Sequence, residues 1–116
     1  MIRGGIYLVD LGKPFGHEQG GKRPAVAISQ GGWSWSVTTI IPTSTSAQST
    51  NFRPEIIIDG VRTRLLVDQI RTIDVRRIVG NPIDHLDHFE LRDLEWTLCE
   101  YLGLLAKGIS TPSSEL

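Results

Sequence analysis

Apolar and polar positions change period once along the chain: short β-rich runs fill the first two thirds, and helical spacing takes over at the end. Ile6-Tyr7-Leu8-Val9 reads as a strand that stops at the turn signal Asp10-Leu11-Gly12-Lys13-Pro14. Gly16 through Lys22 holds too much glycine for a regular element. Pro24 to Ile28 is a second, mostly apolar strand. Gly31 to Ser36 reads as a loop or hairpin tip, Val37 to Ile41 as a third strand, and Thr43 to Asn51 as a polar surface loop. Glu55 to Ile58, Asp59-Gly60 and Val61 to Val67 form the clearest hairpin. Asp-Gly suits a type I′ turn because both central residues tolerate positive φ. Gln69 to Ile73 and Arg77 to Val79 read as further short strands.

Leu91, Leu94, Leu98, Leu102 and Leu105 then recur at helical spacing. Asp87 stands three residues before Glu90, as an N-cap stands before its capping-box partner. Gly108 is the expected stop, and the polar tail beyond it is expected to fray. Several short strands followed by one amphipathic helix predict an α+β fold, a small curled sheet or barrel with the helix packed on it. We expect one domain over residues 1–108 and a flexible tail over 109–116. The order of elements is not βαβ, and no glycine-rich phosphate loop opens a helix.

Length narrows this picture without changing it. The 116 residues suffice for one core, and no apolar run reaches the ~20 residues that span a bilayer. The start of the chain lacks the apolar stretch of a signal peptide. Cys99 is the only cysteine, which excludes an internal disulfide and a cysteine-rich metal site. The cytoplasm is the expected compartment. The net charge of −1 hides a segregation. Residues 1–80 carry ten Lys and Arg against six Asp and Glu, and residues 81–116 carry two against seven. An anionic ligand would be drawn to the first part.

Gly16-His17-Glu18-Gln19-Gly20-Gly21-Lys22-Arg23-Pro24 is the densest candidate site. Its glycines permit tight folding and leave N–H groups for phosphate. Glu18, Lys22 and Arg23 add one anion and two cations. Pro24 biases Arg23 to extended backbone, which sets a forked guanidinium at the start of a buried strand. A solvated hairpin loop with an Arg–Glu surface pair would use the same residue types.

This block, with Arg3 to Leu11, Ile41-Pro42-Thr43-Ser44-Thr45 and Asp68-Gln69-Ile70-Arg71-Thr72-Ile73-Asp74, resembles the successive blocks of the MazF/PemK toxins in order and spacing. The resemblance runs from about Arg3 to Leu105. It implies an SH3-like barrel with a C-terminal helix and sequence-specific cleavage of single-stranded RNA, often messenger RNA. The products would be a 2′,3′-cyclic phosphate and a 5′-hydroxyl. It also implies a homodimer, a cognate antitoxin wrapped around it, and no metal or other cofactor. The family's catalytic arginine falls on Arg23. Its hydroxyl falls in the frame Pro42-Thr43-Ser44, where Ser44 matches by position and Thr45 by residue type.

In such chemistry the RNA 2′-hydroxyl attacks the neighbouring phosphate, so the nucleophile is already in the substrate. Arg23 and a hydroxyl donor would stabilise the phosphorane. Arginine is a poor proton carrier. His17 stands where the family commonly has serine; histidine as a residue type suits acid–base work near neutral pH, and it equally suits an exposed loop without a role. Glu18, Gln19 and Lys22 are further RNA-binding candidates. Trp33 and Trp35 could stack on unpaired bases or pack a hairpin or dimer contact. Gln69 and Arg71 are expected to line the groove or support it. Arg53, Arg62 and Arg64 could meet phosphates or form a solvated face. Asp84, His85, Asp87 and His88 could suggest a metal cluster, but helix capping accounts for them better. A non-catalytic binding module of the same fold and a gyrase-directed toxin are the alternatives.

Overall fold

Seven strands and one long helix make up the computed structural model, which describes residues 2–30 and 36–104. They are β1 (Gly5–Asp10), β2 (Lys22–Ala27), β3 (Val37–Ser44), β4 (Glu55–Ile58), β5 (Val61–Leu65), β6 (Arg71–Asp74), β7 (Ile78–His85) and α1 (His88–Leu102). Short 3-10 turns at Val67–Gln69 and Val75–Arg77 flank β6. The antiparallel sheet runs β4-β5-β3-β2-β1-β7, with β6 also paired to β3. Residues 37–40 of β3 pair with β6, and Thr43 and Ser44 pair with β5. This handover curls the sheet into a half-barrel. Pro42 lies at the changeover, where a missing N–H costs little.

Side-chain alternation buries both faces of the central strands. Ile6, Val26, Ile28 and Ile41 meet Ile56, Ile58 and Leu65 of the β4–β5 hairpin and Leu94 of α1. Tyr7, Val9, Ala25, Ala27 and Ile40 meet Leu11 and Ile73 on the other side. Arg3 ties the helix to the sheet, donating from Nε to the Ile28 carbonyl at 2.8 Å and pairing with Glu95 at 2.6 Å.

The expected hairpin is present, with φ of 51° at Asp59 and 78° at Gly60, as a type I′ turn requires. The expected cap is present too. The Asp87 carboxylate accepts the Glu90 N–H at 2.8 Å, and the Glu90 carboxylate accepts the Asp87 N–H at 2.9 Å. Several boundaries differ from the sequence reading, and β5 ends at Leu65 rather than Val67. β2 begins at Lys22. β3 continues to Ser44, so Thr43 and Ser44 are buried strand residues rather than the start of a loop, because β5 supplies them with a partner. Gln69 closes a 3-10 turn, and its strand starts at Arg71. β7 continues to His85 through Gly80 and Pro82, because a register shift against β1 absorbs these strand breakers. The helix stops at Gly103, whose φ of 72° forms a left-handed cap before Leu105. Leu105, Gly108 and the tail 109–116 lie outside the described residues.

Candidate functional site

The loop between β1 and β2 is closed at its base by two backbone bonds. Leu11 N–H donates to Gly21 O at 2.9 Å, and Gly21 N–H donates to Gly12 O at 2.8 Å. Gly20 admits no side chain, since a Cβ there would fall 2.4 Å from Pro14 Cδ. Glu18 closes the loop on itself by accepting the Phe15 N–H at 3.0 Å. Gln69 reaches in from the 3-10 turn. Its Oε1 accepts the Gln19 N–H at 2.7 Å and its Nε2 donates to the His17 carbonyl at 3.2 Å.

Arg23 leaves this loop as the second residue of β2, and its Nε donates to Gly20 O at 2.8 Å. Among the described residues, its terminal guanidinium nitrogens have no protein partner. On β3, Pro42 pairs with Ala25 of β2, whereas Thr43 and Ser44 pair with Leu65 and Arg64 of β5. Thr43 Oγ1 donates to Pro24 O at 2.7 Å and holds this end of β3 against β2. Ser44 Oγ accepts two backbone N–H groups, from Ser46 at 3.2 Å and Ala47 at 3.0 Å. Both lone pairs are thus engaged, and the hydroxyl proton is what remains to offer; among the described residues its one hydrogen-bond partner is Ser46 Oγ, at 3.5 Å. Thr45 is exposed beside it. A recess of about 350 Å³ is lined by Lys22, Arg23, Thr43, Ser44, Thr45 and other residues. Two cations and the Ser44 and Thr45 hydroxyls in one hollow suit a tetrahedral anion, and Asp59 adds one carboxylate to the same lining.

A second recess, of about 880 Å³, is lined by His17, Glu18, Gln19, Gln69 and Arg71 together with Gln48, Arg53 and Asp68. The structure therefore divides the sequence candidates. Lys22, Arg23, Ser44 and Thr45 share one hollow, while His17 and the remaining described candidates line the other. His17 is exposed and does not line the Arg23 recess. Trp33 and Trp35 lie outside the described residues.

Of the arginines flanking the hairpin, Arg53 grips Asp68 through two bonds of 3.1 and 2.9 Å, and this partner raises its pKa. Arg64 donates to the Ala47 carbonyl at 3.1 Å and lies 3.6 Å from Glu55. Arg62 is the exposed one. Sequence reasoning missed Gln48 and the anchoring role of Asp68. The only available signal for Asp68 was its place beside Gln69. Among the described residues, no three His, Cys, Asp or Glu side chains gather where they could hold a metal ion. Within those residues, no helix is long and apolar enough to cross a membrane.

A family model described as the PemK-like, MazF-like toxin of type II toxin-antitoxin systems matches residues 2–102. The chain belongs to this family. A Mycobacterium tuberculosis protein named as a toxin is 51% identical over 105 residues, covering 90% of this chain and 99% of the relative. The endoribonuclease EndoA of Bacillus subtilis is 37% identical over 93 residues, covering 73% of this chain and 79% of the relative. The crystal structure of MazF from Deinococcus radiodurans superposes with a TM-score of 0.76 at 24% identity, over 86% of this chain and 94% of that one. The curled antiparallel sheet with one C-terminal helix is thus the MazF fold. The glycine-rich loop, the end of β3 and the Val67–Gln69 turn of this MazF-like chain correspond to three of the four blocks read in the sequence.

Proposed function

We propose that this chain is the toxin of a toxin–antitoxin pair and acts as a sequence-specific endoribonuclease on single-stranded RNA, messenger RNA included. The observation that carries the proposal is the meeting in one recess of a half-buried guanidinium, whose terminal nitrogens have no partner among the described residues, and a hydroxyl whose lone pairs are already filled. The endoribonuclease name of the Bacillus subtilis relative supports the same reading.

In the reaction, the RNA 2′-hydroxyl gives up its proton to water as its oxygen bonds to the adjacent phosphorus, and the 5′-oxygen leaves and takes a proton from water, giving a 2′,3′-cyclic phosphate and a 5′-hydroxyl. Arg23 and the Ser44 hydroxyl donate to the phosphorane oxygens, which bear more negative charge than the ground-state diester. Lys22 holds the incoming backbone, and Thr45 borders the recess on its exposed side. His17, Glu18, Gln19 and Arg71 receive the neighbouring nucleotides in the larger recess, and Trp33 and Trp35 offer stacking surfaces. No step needs a metal-bound water, because the nucleophile belongs to the substrate. The cognate antitoxin blocks this groove. A second copy of the chain covers exposed apolar side chains such as Ile57 on β4 and Val79 on β7. The site of action is the cytoplasm, where messenger RNA is found.

Cleavage of single-stranded RNA in EDTA, lost in Arg23→Ala, is the expected result. A folded chain that cuts no single-stranded RNA would refute the proposal. The burial of Ser44, only 3% exposed, favours a second reading as an RNA-binding module without catalysis. RNA that is bound but never cut would establish that reading. Because His17 lines the other recess, His17→Ala should raise KM and leave the shape of the kcat profile between pH 5 and 8 unchanged. Loss of an ionisation from that profile would instead assign His17 to proton transfer, as its chemistry alone suggests.

A further inference from the structure

We propose that Gln69 is a positioning residue for Arg23 and acts through the carbonyl of Gly20. The inference rests on the role given to Arg23 above and adds a residue that need not touch the reacting phosphate.

The Arg23 guanidinium has one hydrogen bond among the described residues, from Nε to Gly20 O at 2.8 Å. Wherever that carbonyl sits, the guanidinium follows. The carbonyl is held on both sides. After it, Gly21 N–H donates to Gly12 O at 2.8 Å. Before it, Gln19 N–H donates to the Gln69 side chain at 2.7 Å. Gly20 itself is wedged against Pro14. Gln69 lies far from this loop in sequence, and both ends of its amide are spent on the loop backbone, at Gln19 N and His17 O.

The brace is itself anchored. Gln69 N–H donates to Leu66 O at 2.9 Å. The preceding residue, Asp68, grips Arg53 through its carboxylate, and its carbonyl accepts the Tyr101 hydroxyl of α1 at 3.3 Å. A neutral side chain thus carries rigidity from the core side of the 3-10 turn to the loop that aims Arg23. A group acting on the phosphorane must be placed to a fraction of an ångström, whereas Lys22 and Arg71 can still bind RNA if Arg23 drifts. Loss of the brace should therefore reduce kcat far more than it changes KM.

The test uses the full chain carrying Gln69→Met, which keeps length but removes both hydrogen bonds. Folding is checked by circular dichroism. Two quantities are read: solvent exchange of the Arg23 Nε–H by NMR, and kinetics on an RNA oligonucleotide carrying the cleavage site mapped from a randomised single-stranded library. We expect Nε–H exchange to quicken at least ~10-fold, kcat to fall ~10- to 100-fold and KM to move less than ~2-fold. Gln69→Glu keeps an acceptor for the Gln19 N–H and should restore Nε–H protection and kcat to within ~3-fold of wild type. If Gln69→Met does not fold, the shorter Gln69→Asn carries the same expectations. Unchanged Nε–H exchange overturns the proposal, and so does a raised KM with unchanged kcat, which would mean direct contact with RNA. If the unmodified chain cuts no RNA, the proposed function falls, and the exchange measurement alone decides whether Gln69 places Arg23.

Discussion

At the scale of single residues, Ser44 and Thr45 are neighbours with opposite environments. Ser44 is buried with its oxygen held by two N–H groups, and Thr45 is exposed. Ser44→Ala should lower kcat by ~100-fold, as loss of one preorganised donor does. It should also cost about 1 kcal/mol of stability through the released N–H groups, measured by urea unfolding. Thr45→Ala should change kcat by less than ~3-fold; a larger loss would move the catalytic hydroxyl to Thr45. Asp74 offers a separate test. Its carboxylate accepts the Arg76 Nε and Nη2 at 3.0 and 2.8 Å, and this hydrogen bonding lowers its pKa to about 2. The folded value lies below the unfolded value of ~3.9. The pair therefore supports the fold above that unfolded value, and its contribution is lost as pH falls through about 2. A carbon-detected titration should place the Asp74 midpoint near 2, and Arg76→Ala should move it up towards ~3.9.

At the scale of elements, local chemistry sets the termini. Asp87→Ala removes one half of the capping box on α1 and should cost about 1 kcal/mol in urea unfolding. Gly60→Ala places a Cβ at a φ of 78° and should cost about 1 kcal/mol in the same measurement. These features were legible in the sequence because each depends on residues within three or four positions. The hairpin, the capped start of the helix and the glycine loop all belong to this kind. What was not legible depended on distant partners. Thr43 and Ser44 look like loop residues until β5 pairs with them, and Gly80 and Pro82 hide a strand that only the β1 edge reveals. The site was legible to the same extent. Arg23 was readable as a forked cation at a strand start, whereas its separation from His17 follows from how the loop folds back onto Gln69.

At the scale of the whole molecule, the site draws on distant parts of the chain. Lys22 and Arg23 of β2 share their recess with the end of β3, the β4–β5 hairpin and Ile83 of β7. Binding of single-stranded RNA should weaken as salt rises, and Lys22→Ala should flatten the log–log slope by about 0.7, the release expected for one phosphate contact. An unchanged slope would place Lys22 outside the RNA path. Leu94→Ala, at a fully buried helix position, should cost ~2–5 kcal/mol and lower the midpoint of thermal unfolding. The register shift in β7 has one more consequence. β7 ends the strand order, and an uninterrupted edge there would be a template for adding strands from other molecules. Gly80, with its φ of 75°, and Pro82, which lacks a donor, break that template in the middle. The same irregularity that hides β7 in the sequence thereby works against fibril growth along this edge.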